Sequence, residues 1–236
     1  MKSLNSINTW SAKSKTNKKR KREDDDEETE EISFLDLLGG LKGNGGHSKD
    51  NIVKANGNHI YLYSEIDRKS AYDVNNYIRT LSNEILAIHN TMTMTEESTP
   101  IYLHINSYGG SIFDALSIID TIQNCKVPVY SIIEGCAASA ATLISVCCTK
   151  RFMTKYSYML IHELRSGIWG KYSEIEEEYE NLTSIMETLI EIYKNNTSIK
   201  SEKQLKNLLK KDSWWNSGIC LKTVSYTHLT LPTSPK

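Results

Sequence analysis

The chain is short of the features that several protein classes require. None of its apolar runs approaches the roughly 20 residues that a membrane-spanning helix needs, so no membrane role is expected. Its five cysteines, Cys125, Cys136, Cys147, Cys148 and Cys220, show no CxxC spacing and no companion histidines. That pattern argues against a zinc module or a disulfide framework. It leaves reduced, mostly buried small hydrophobes of an intracellular protein. There is no HExxH segment for a catalytic zinc and no GxxxxGK[ST] loop to cradle a nucleotide, so no metal and no cofactor are expected in this chain. The formal net charge is −1, so the globular part lacks the basic excess of a nucleic-acid binder. A length of 236 residues fits one domain with tails.

Charge is concentrated at the N-terminus instead. Lys18-Lys19-Arg20-Lys21-Arg22 is followed at once by six acids, Glu23 to Glu28, and then by Glu30 and Glu31. Blocks of like charge repel and stay solvated, so residues 1–57 read as a disordered charged extension. The basic block also fits a nuclear-import pattern. No acid precedes Glu23 and serines are frequent, as in an organelle presequence, although lysine dominates where such segments favour arginine. The expected location is cytoplasmic, with organelle or nucleus as alternatives. Ile32 to Leu38 (ISFLDLL) is an apolar island suited to docking.

From about residue 58 the pattern is that of a folded α/β domain. His59 to Tyr63 is β-rich and reads as a first strand. Ser70 opens a helix in which Val74, Tyr77, Ile78, Leu81, Ile85 and Ile88 share one face. Asn90 to Pro100 reads as a loop. Ile101 to Ile105 is the next strand, a helix runs from Ser111 to Cys125, and Val129 to Ile133 is again a strand. This βαβ order implies a parallel, buried sheet. Ala137 to Val146 reads as a short helix of small residues, with further strands at 151–153 and 158–161. Ser173 to Asn195 is the clearest helix, with Ser173 and Glu176 as a capping box. Ser201 to Lys211 is the last helix and delivers Asp212.

Three pieces of this domain carry chemistry. Asn106-Ser107-Tyr108-Gly109-Gly110-Ser111 is a glycine turn after an apolar run. Gly135-Cys136-Ala137-Ala138-Ser139-Ala140 places one hydroxyl among tiny residues. Met159-Leu160-Ile161-His162-Glu163 ends a second run on an imidazole. Serine is a weak nucleophile unless a base takes its proton, and histidine has a resting pKa near the working pH. A glycine turn can aim backbone N–H groups at a developing oxyanion. Taken singly, each has a plainer reading: Ser139 as a space-filler in a tight helix, His162 as a core residue, Asp212 as a surface acid at a helix end.

The ordered set INSxGGS, GxAAS, MxIH and a later aspartate resembles the ClpP family, the proteolytic subunit of the ATP-dependent Clp protease, from about His59 to Lys222. The resemblance implies the ClpP/crotonase-type α/β fold of repeated β-α-β units with a projecting handle helix. It implies a serine-type endopeptidase with Ser139 as nucleophile, His162 as base and acid, and Asp212 orienting the imidazole. Gly110 and Ala140 N–H groups would form the oxyanion hole. Gly109, Ser111 and Tyr102 would line a groove in which an extended peptide pairs as an added strand. An AAA+ Clp-type ATPase would use the ATP and feed unfolded polypeptide into stacked, heptameric rings. Two departures stand out. Tyr108 occupies the position of a usual proline, and Thr223 to Lys236 replaces a Gly-Leu-Val-Asp-like strand. That tail is similar to translated adapter read-through, so residues 223–236 are set apart as anomalous.

Two other functions compete. A structural ring subunit with a silent site would keep the same motifs. The related crotonase fold, acting on acyl-CoA, has a similar glycine-rich oxyanion hole but needs no Ser/His/Asp set.

Overall fold

The computed structural model describes residues 52–92, 99–224 and 226–228. The charged blocks, the ISFLDLL segment, loop residues 93–98 and the chain beyond 228 lie outside the described residues.

Strands form where β-branched and aromatic residues alternate between turn formers. β1 (Ile52–Asn56) and β2 (His59–Tyr63) make an antiparallel hairpin with Asn56 opposite His59. The expected charged extension to residue 57 is thereby corrected, because Val53 and Ala55 pack on the core. Lys54 and Asn56 had diluted that short strand's apolar signal.

β2 continues into a parallel series with β3 (Ile101–Ser107), β4 (Val129–Ala138) and β5 (Lys150–Met153). β4 then changes partner. Its first half pairs with β5, and its last three residues pair in parallel with β6 (Tyr158–Ile161). β7 (Ser213–Asn216) runs antiparallel to β6, and β8 (Thr227–His228) lies parallel beside β5. The parallel expectation therefore holds for the centre of the sheet, with antiparallel pairs added at β1 and β7.

Six helices are described: α1 (Arg68–Met92), α2 (Ile112–Gln123), α3 (Ala140–Val146), α4 (Tyr172–Asn196), α5 (Glu202–Leu209) and α6 (Ser217–Thr223). Ile60, Leu62, Leu103, Ile105 and Ile133 are fully buried in one core with Val74 and Ile78 of α1 and Ile118 of α2. Caps differ in detail from those read off the chain. α1 starts on Asp67, whose carboxylate accepts from Ser70 N–H at 2.7 Å while Ser70 Oγ accepts from Asp67 N–H. α4 starts on Lys171, whose N–H donates to Glu174 at 2.9 Å, rather than on the Ser173–Glu176 pair. Ile88 is exposed, so the apolar face of α1 ends at Ile85 and the half-buried Leu86.

Every residue from 171 to 181 is exposed, and α4 reaches the core further along, burying Leu189, Ile190 and Tyr193 with Ile185, Met186 and Ile192 packed beside them. The helix projects, as a handle should. Tyr226, just before β8, is buried and its hydroxyl donates to Ser145 Oγ at 2.6 Å.

The opposite face of the sheet carries aromatic and polar side chains. Tyr61 stacks on His104 with ring centres 4.6 Å apart, and His59 stacks on Tyr102 at 4.8 Å. His104 bonds His59 Nδ1 at 2.8 Å and Glu134 Oε1 at 3.0 Å, and Glu134 also accepts from Tyr63. His104 is thus the structural strand residue expected from its alternation.

Candidate active site

The site is built where β4 stops being a strand. Between Ile105 and Ser107, a single residue of β3, Asn106, faces three of β4, Glu134, Gly135 and Cys136. The Asn106 side chain fills this bulge and accepts from Cys136 N–H at 3.3 Å. Gly135, at φ 80°, leaves room for it: a Cβ there would come within 2.8 Å of Asn106 Oδ1. After the bulge, β4 runs on through Ala137 and Ala138 beside β6.

Ser139 ends this run at φ 55°, ψ −126°. Among the described residues it is the one non-glycine with positive φ. Such a conformation costs on the order of 1–3 kcal/mol and persists only where its surroundings enforce it. Two contacts enforce it here: Ser139 N–H donates to Leu160 O on β6 at 2.9 Å, and Thr142 N–H returns to Ser139 O at 2.9 Å. α3 starts at Ala140, three residues later than the Ala137 start that the run of small residues suggests. Ala137 and Ala138 are strand, not helix as expected, because their backbone groups pair with β6. Ala140 N–H heads the helix, where no intrahelical acceptor exists.

The glycine turn packs directly on this corner. A Cβ on Gly109 would sit 2.6 Å from Ala138 O, 2.8 Å from Ser139 Cβ and 3.1 Å from Ala140 N. Only glycine fits, and its φ of 95° also requires one. Gly109 uses both of its backbone groups internally: its N–H donates to Ser107 Oγ at 3.1 Å, and its O accepts from Ile66 N–H at 2.8 Å. Ser111 N–H donates to Ile66 O at 2.8 Å, and Ser111 Oγ caps α2 through Asp114 N–H. These bonds form a parallel bridge between Ile66 and Gly110. In such a bridge the middle residue's own N–H and C=O take no part, so those of Gly110 face away from Ile66. Gly110 and Ala140 therefore offer N–H groups, whereas Gly109 and Ser111 spend theirs on the fold. Tyr102 lies apart, stacked on His59 five residues up β3 from Ser107.

His162 and Asp212 flank the end of the β6–β7 ladder. Ile161 pairs with Ser213 in the antiparallel β6–β7 ladder. His162 and Asp212 are the next residues along each strand, just past that last ladder pair. Glu163 N–H closes the same end by donating to Leu209 O at 2.9 Å. Their side chains are not yet joined. His162 Nδ1 lies 2.6 Å from Glu163 O. A carbonyl only accepts, so this contact uses a proton on Nδ1 and leaves Nε2 out of it. Asp212 is half exposed and ion-paired to Arg165. Among the described residues Ser139 Oγ has no hydrogen-bond partner.

Sequence reasoning did not single out Arg165 or Trp214. Arg165 lies in a polar loop with no motif around it. Trp214 alternates with Trp215 on a strand that the chain pattern did not reveal. Cys136, three residues before Ser139, is held protonated: burial pushes its thiol up to about 11, so it is no competing nucleophile at neutral pH.

A strained serine at a strand-to-helix corner, amide groups beside it and an imidazole on the adjoining strand end can together support acyl transfer. A family model for Clp protease matches residues 48–223. The chain is 33% identical over 141 residues to ATP-dependent Clp protease proteolytic subunit 2 of Treponema denticola, covering 59% of this chain and 70% of that one. It is 33% identical over 146 residues to the proteolytic subunit of Streptococcus mutans, covering 60% and 74%. It is 32% identical over 135 residues to proteolytic subunit 1 of Protochlamydia amoebophila, covering 56% and 65%. The chain belongs to the Clp protease family, a family of peptidases. Among the described residues no helix is long and apolar enough to cross a membrane.

Proposed function

We propose that this chain is an active serine-type endopeptidase subunit. Ser139 attacks the scissile carbonyl, His162 Nε2 takes its proton and returns it to the leaving amine, and Asp212 stabilises the imidazolium. Gly110 and Ala140 N–H groups hold the oxyanion. The observation that carries this reading is Ser139 itself, strained at φ 55° with Gly109 seated against it. A residue that merely filled space would not need that conformation. Donors of this kind contribute roughly 10²–10³ in rate each.

Partners follow from the same reading. The relatives' names join them to an ATP-dependent system, and this chain would take unfolded polypeptide from an AAA+ Clp-type ATPase that uses the ATP. Self-assembly into stacked heptameric rings is supported by the apolar face of the projecting helix. Tyr172 and Tyr179 of α4 are 79% and 67% exposed and Trp169, just before the helix, is 100% exposed, and exposed apolar side chains of this kind mark contact surfaces.

The test is cleavage of a fluorogenic peptide by protein of ring size on a sizing column, with fluorophosphonate labelling. Labelling at Ser139, lost with cleavage in Ser139→Ala, is expected. Cleavage unchanged in that variant would remove Ser139 from the mechanism. A structural ring subunit with a silent site is the second reading, favoured by the Arg165–Asp212 pair and the unpartnered Ser139 hydroxyl. Fully assembled rings that neither cleave nor label would establish it.

A further inference from the structure

We propose that Tyr108 and Trp214 are positioning residues of the Ser139 site, forming an aromatic clamp between the oxyanion turn and the strand that carries Asp212. The proposal rests on the peptidase reading above. It starts from two side chains that the proposed chemistry leaves unused. Their rings meet edge to face, with centres 6.5 Å apart and planes at 86°. That is the favoured geometry of an aromatic pair.

Their places in the chain give the contact its meaning. Tyr108 immediately precedes Gly109, whose backbone is pressed against Ser139 and Ala140. Trp214 is two residues beyond Asp212, on β7, directly opposite Leu160 of β6. Leu160 O in turn accepts the Ser139 N–H at 2.9 Å. The contacts therefore close a circuit: Ser139 to Leu160, Leu160 to Trp214, Trp214 to Tyr108, and Tyr108 through Gly109 back to Ser139. Every link but one is backbone hydrogen bonding, covalent bonding or unavoidable packing. The ring pair is the circuit's single side-chain link, and without it the turn is joined to β7 only through the Ser139 corner and β6. The acid and the oxyanion donors must be placed to within a fraction of an ångström for full rate. The Tyr108–Trp214 link sets that distance directly.

The position of Tyr108 fits this role. Proline would stiffen the turn by itself, through its fixed φ. Tyrosine does not, and a ring contact to the neighbouring strand supplies the restraint from outside. Tyr108 remains 53% exposed, so the clamp lies at the rim of the site, where losing it need not unfold the core.

The test uses the full chain in its assembled form, checked by sizing. It measures kcat and KM for a fluorogenic peptide in Tyr108→Ala, Tyr108→Phe, Trp214→Ala and the Tyr108→Ala/Trp214→Ala double variant. Each alanine variant is expected to lose about three- to tenfold in kcat, the scale of one such ring pair, with KM within twofold. Tyr108→Phe is expected to keep full kcat, since the contact needs the ring and not the hydroxyl. The double variant is expected to lose no more than the worse single one, because either change opens the same link. Fully additive losses, an unchanged kcat, or a raised KM with kcat intact would each overturn the clamp. The last would make the rings a substrate contact instead. Should an alanine variant fail to assemble, Trp214→Phe, which preserves bulk but changes the edge contact, decides the matter by the same split. Failure of the peptidase reading looks different. A wild-type protein that cleaves nothing, or cleavage that survives Ser139→Ala, overturns that reading and the clamp with it. Ser139-dependent cleavage indifferent to Tyr108 overturns the clamp alone.

Discussion

Arg165 holds the carboxylate of Asp212, although Asp212 and His162 each sit one residue past the last β6–β7 ladder pair, Ile161 and Ser213. The imidazole meanwhile donates to the Glu163 carbonyl. Both partners of the Arg165–Asp212 pair are about half exposed. Such pairs contribute about 0–1 kcal/mol, so this one is readily exchanged for another. Under the proposed function it acts as a resting arrangement that keeps acid and base apart.

Arg165→Gln is expected to free Asp212 for His162. Peptide kcat should rise, by no more than about fivefold given the weakness of an exposed pair, with KM little changed. Steady-state kinetics on assembled protein checks this. A clear fall in kcat would instead place Arg165 in the working site.

Ser139 separates strain from chemistry. Ser139→Ala keeps the positive φ and should melt like the wild type. Ser139→Gly relieves on the order of 1–3 kcal/mol of strain and adds about 0.5–1 kcal/mol of chain entropy cost. The glycine variant should therefore be more stable by about 1 kcal/mol, or roughly 2–4 °C in Tm for a domain of this size. Both should be inactive. Calorimetry showing the glycine variant melting below the alanine variant would mean the corner is not strained.

Gly109→Ala should damage site and fold together. The added methyl would meet Ala138 O at 2.6 Å and Ser139 Cβ at 2.8 Å, at a φ of 95°. A displacement near 1 Å at a reacting group costs about 10²-fold in rate, so peptide cleavage should fall at least that far, with a lowered Tm. Cleavage within tenfold of wild type would show that the turn can retreat from Ser139.

His59 makes a pH prediction. Its pKa is lowered by burial first and by the neighbouring His104 second. The folded protein thus prefers neutral His59 more than the unfolded chain does. The associated stability is complete above the ordinary histidine value of about 6.5. It is lost as pH falls through the lower folded value. His59→Phe should flatten the decline in Tm between pH 8 and pH 5 relative to wild type. A decline identical in both would show that His59 does not take up the proton.

Much of this was legible in the chain. Strand–helix alternation and the three motif pieces gave the central parallel sheet, Ser139 at a strand end and His162 at the next. Ser111 and Ser201 cap helices as their residue type dictates. Local pattern failed where pairing decides the outcome. Ala137 and Ala138 favour a helix by composition but become strand because β6 lies alongside. Gly109 and Ser111 look like ligand-binding backbone, yet the Gly109 carbonyl and the Ser111 N–H are consumed by Ile66, about 45 residues away in sequence, and the Gly109 N–H by Ser107. The hold of Arg165 on Asp212, likewise, spans 47 residues, and nothing near either one announces the other.

The bulge in β4 has a length, and the length matters by parity. Three residues stand opposite Asn106 where a regular ladder has one, an excess of two. Side chains on a strand alternate between faces, so an even excess returns Ala137, Ala138 and the Ser139 corner to the phase that the start of β4 set. Removing any one residue between Ile133 and Ala137 would turn that corner over and deliver the hydroxyl to the wrong side of the sheet. Removing two would restore the side but draw the corner back by roughly 7 Å along the strand, out of reach of β6. This short segment is therefore a counted spacer, fixed in its number as firmly as Gly135 is fixed in its kind.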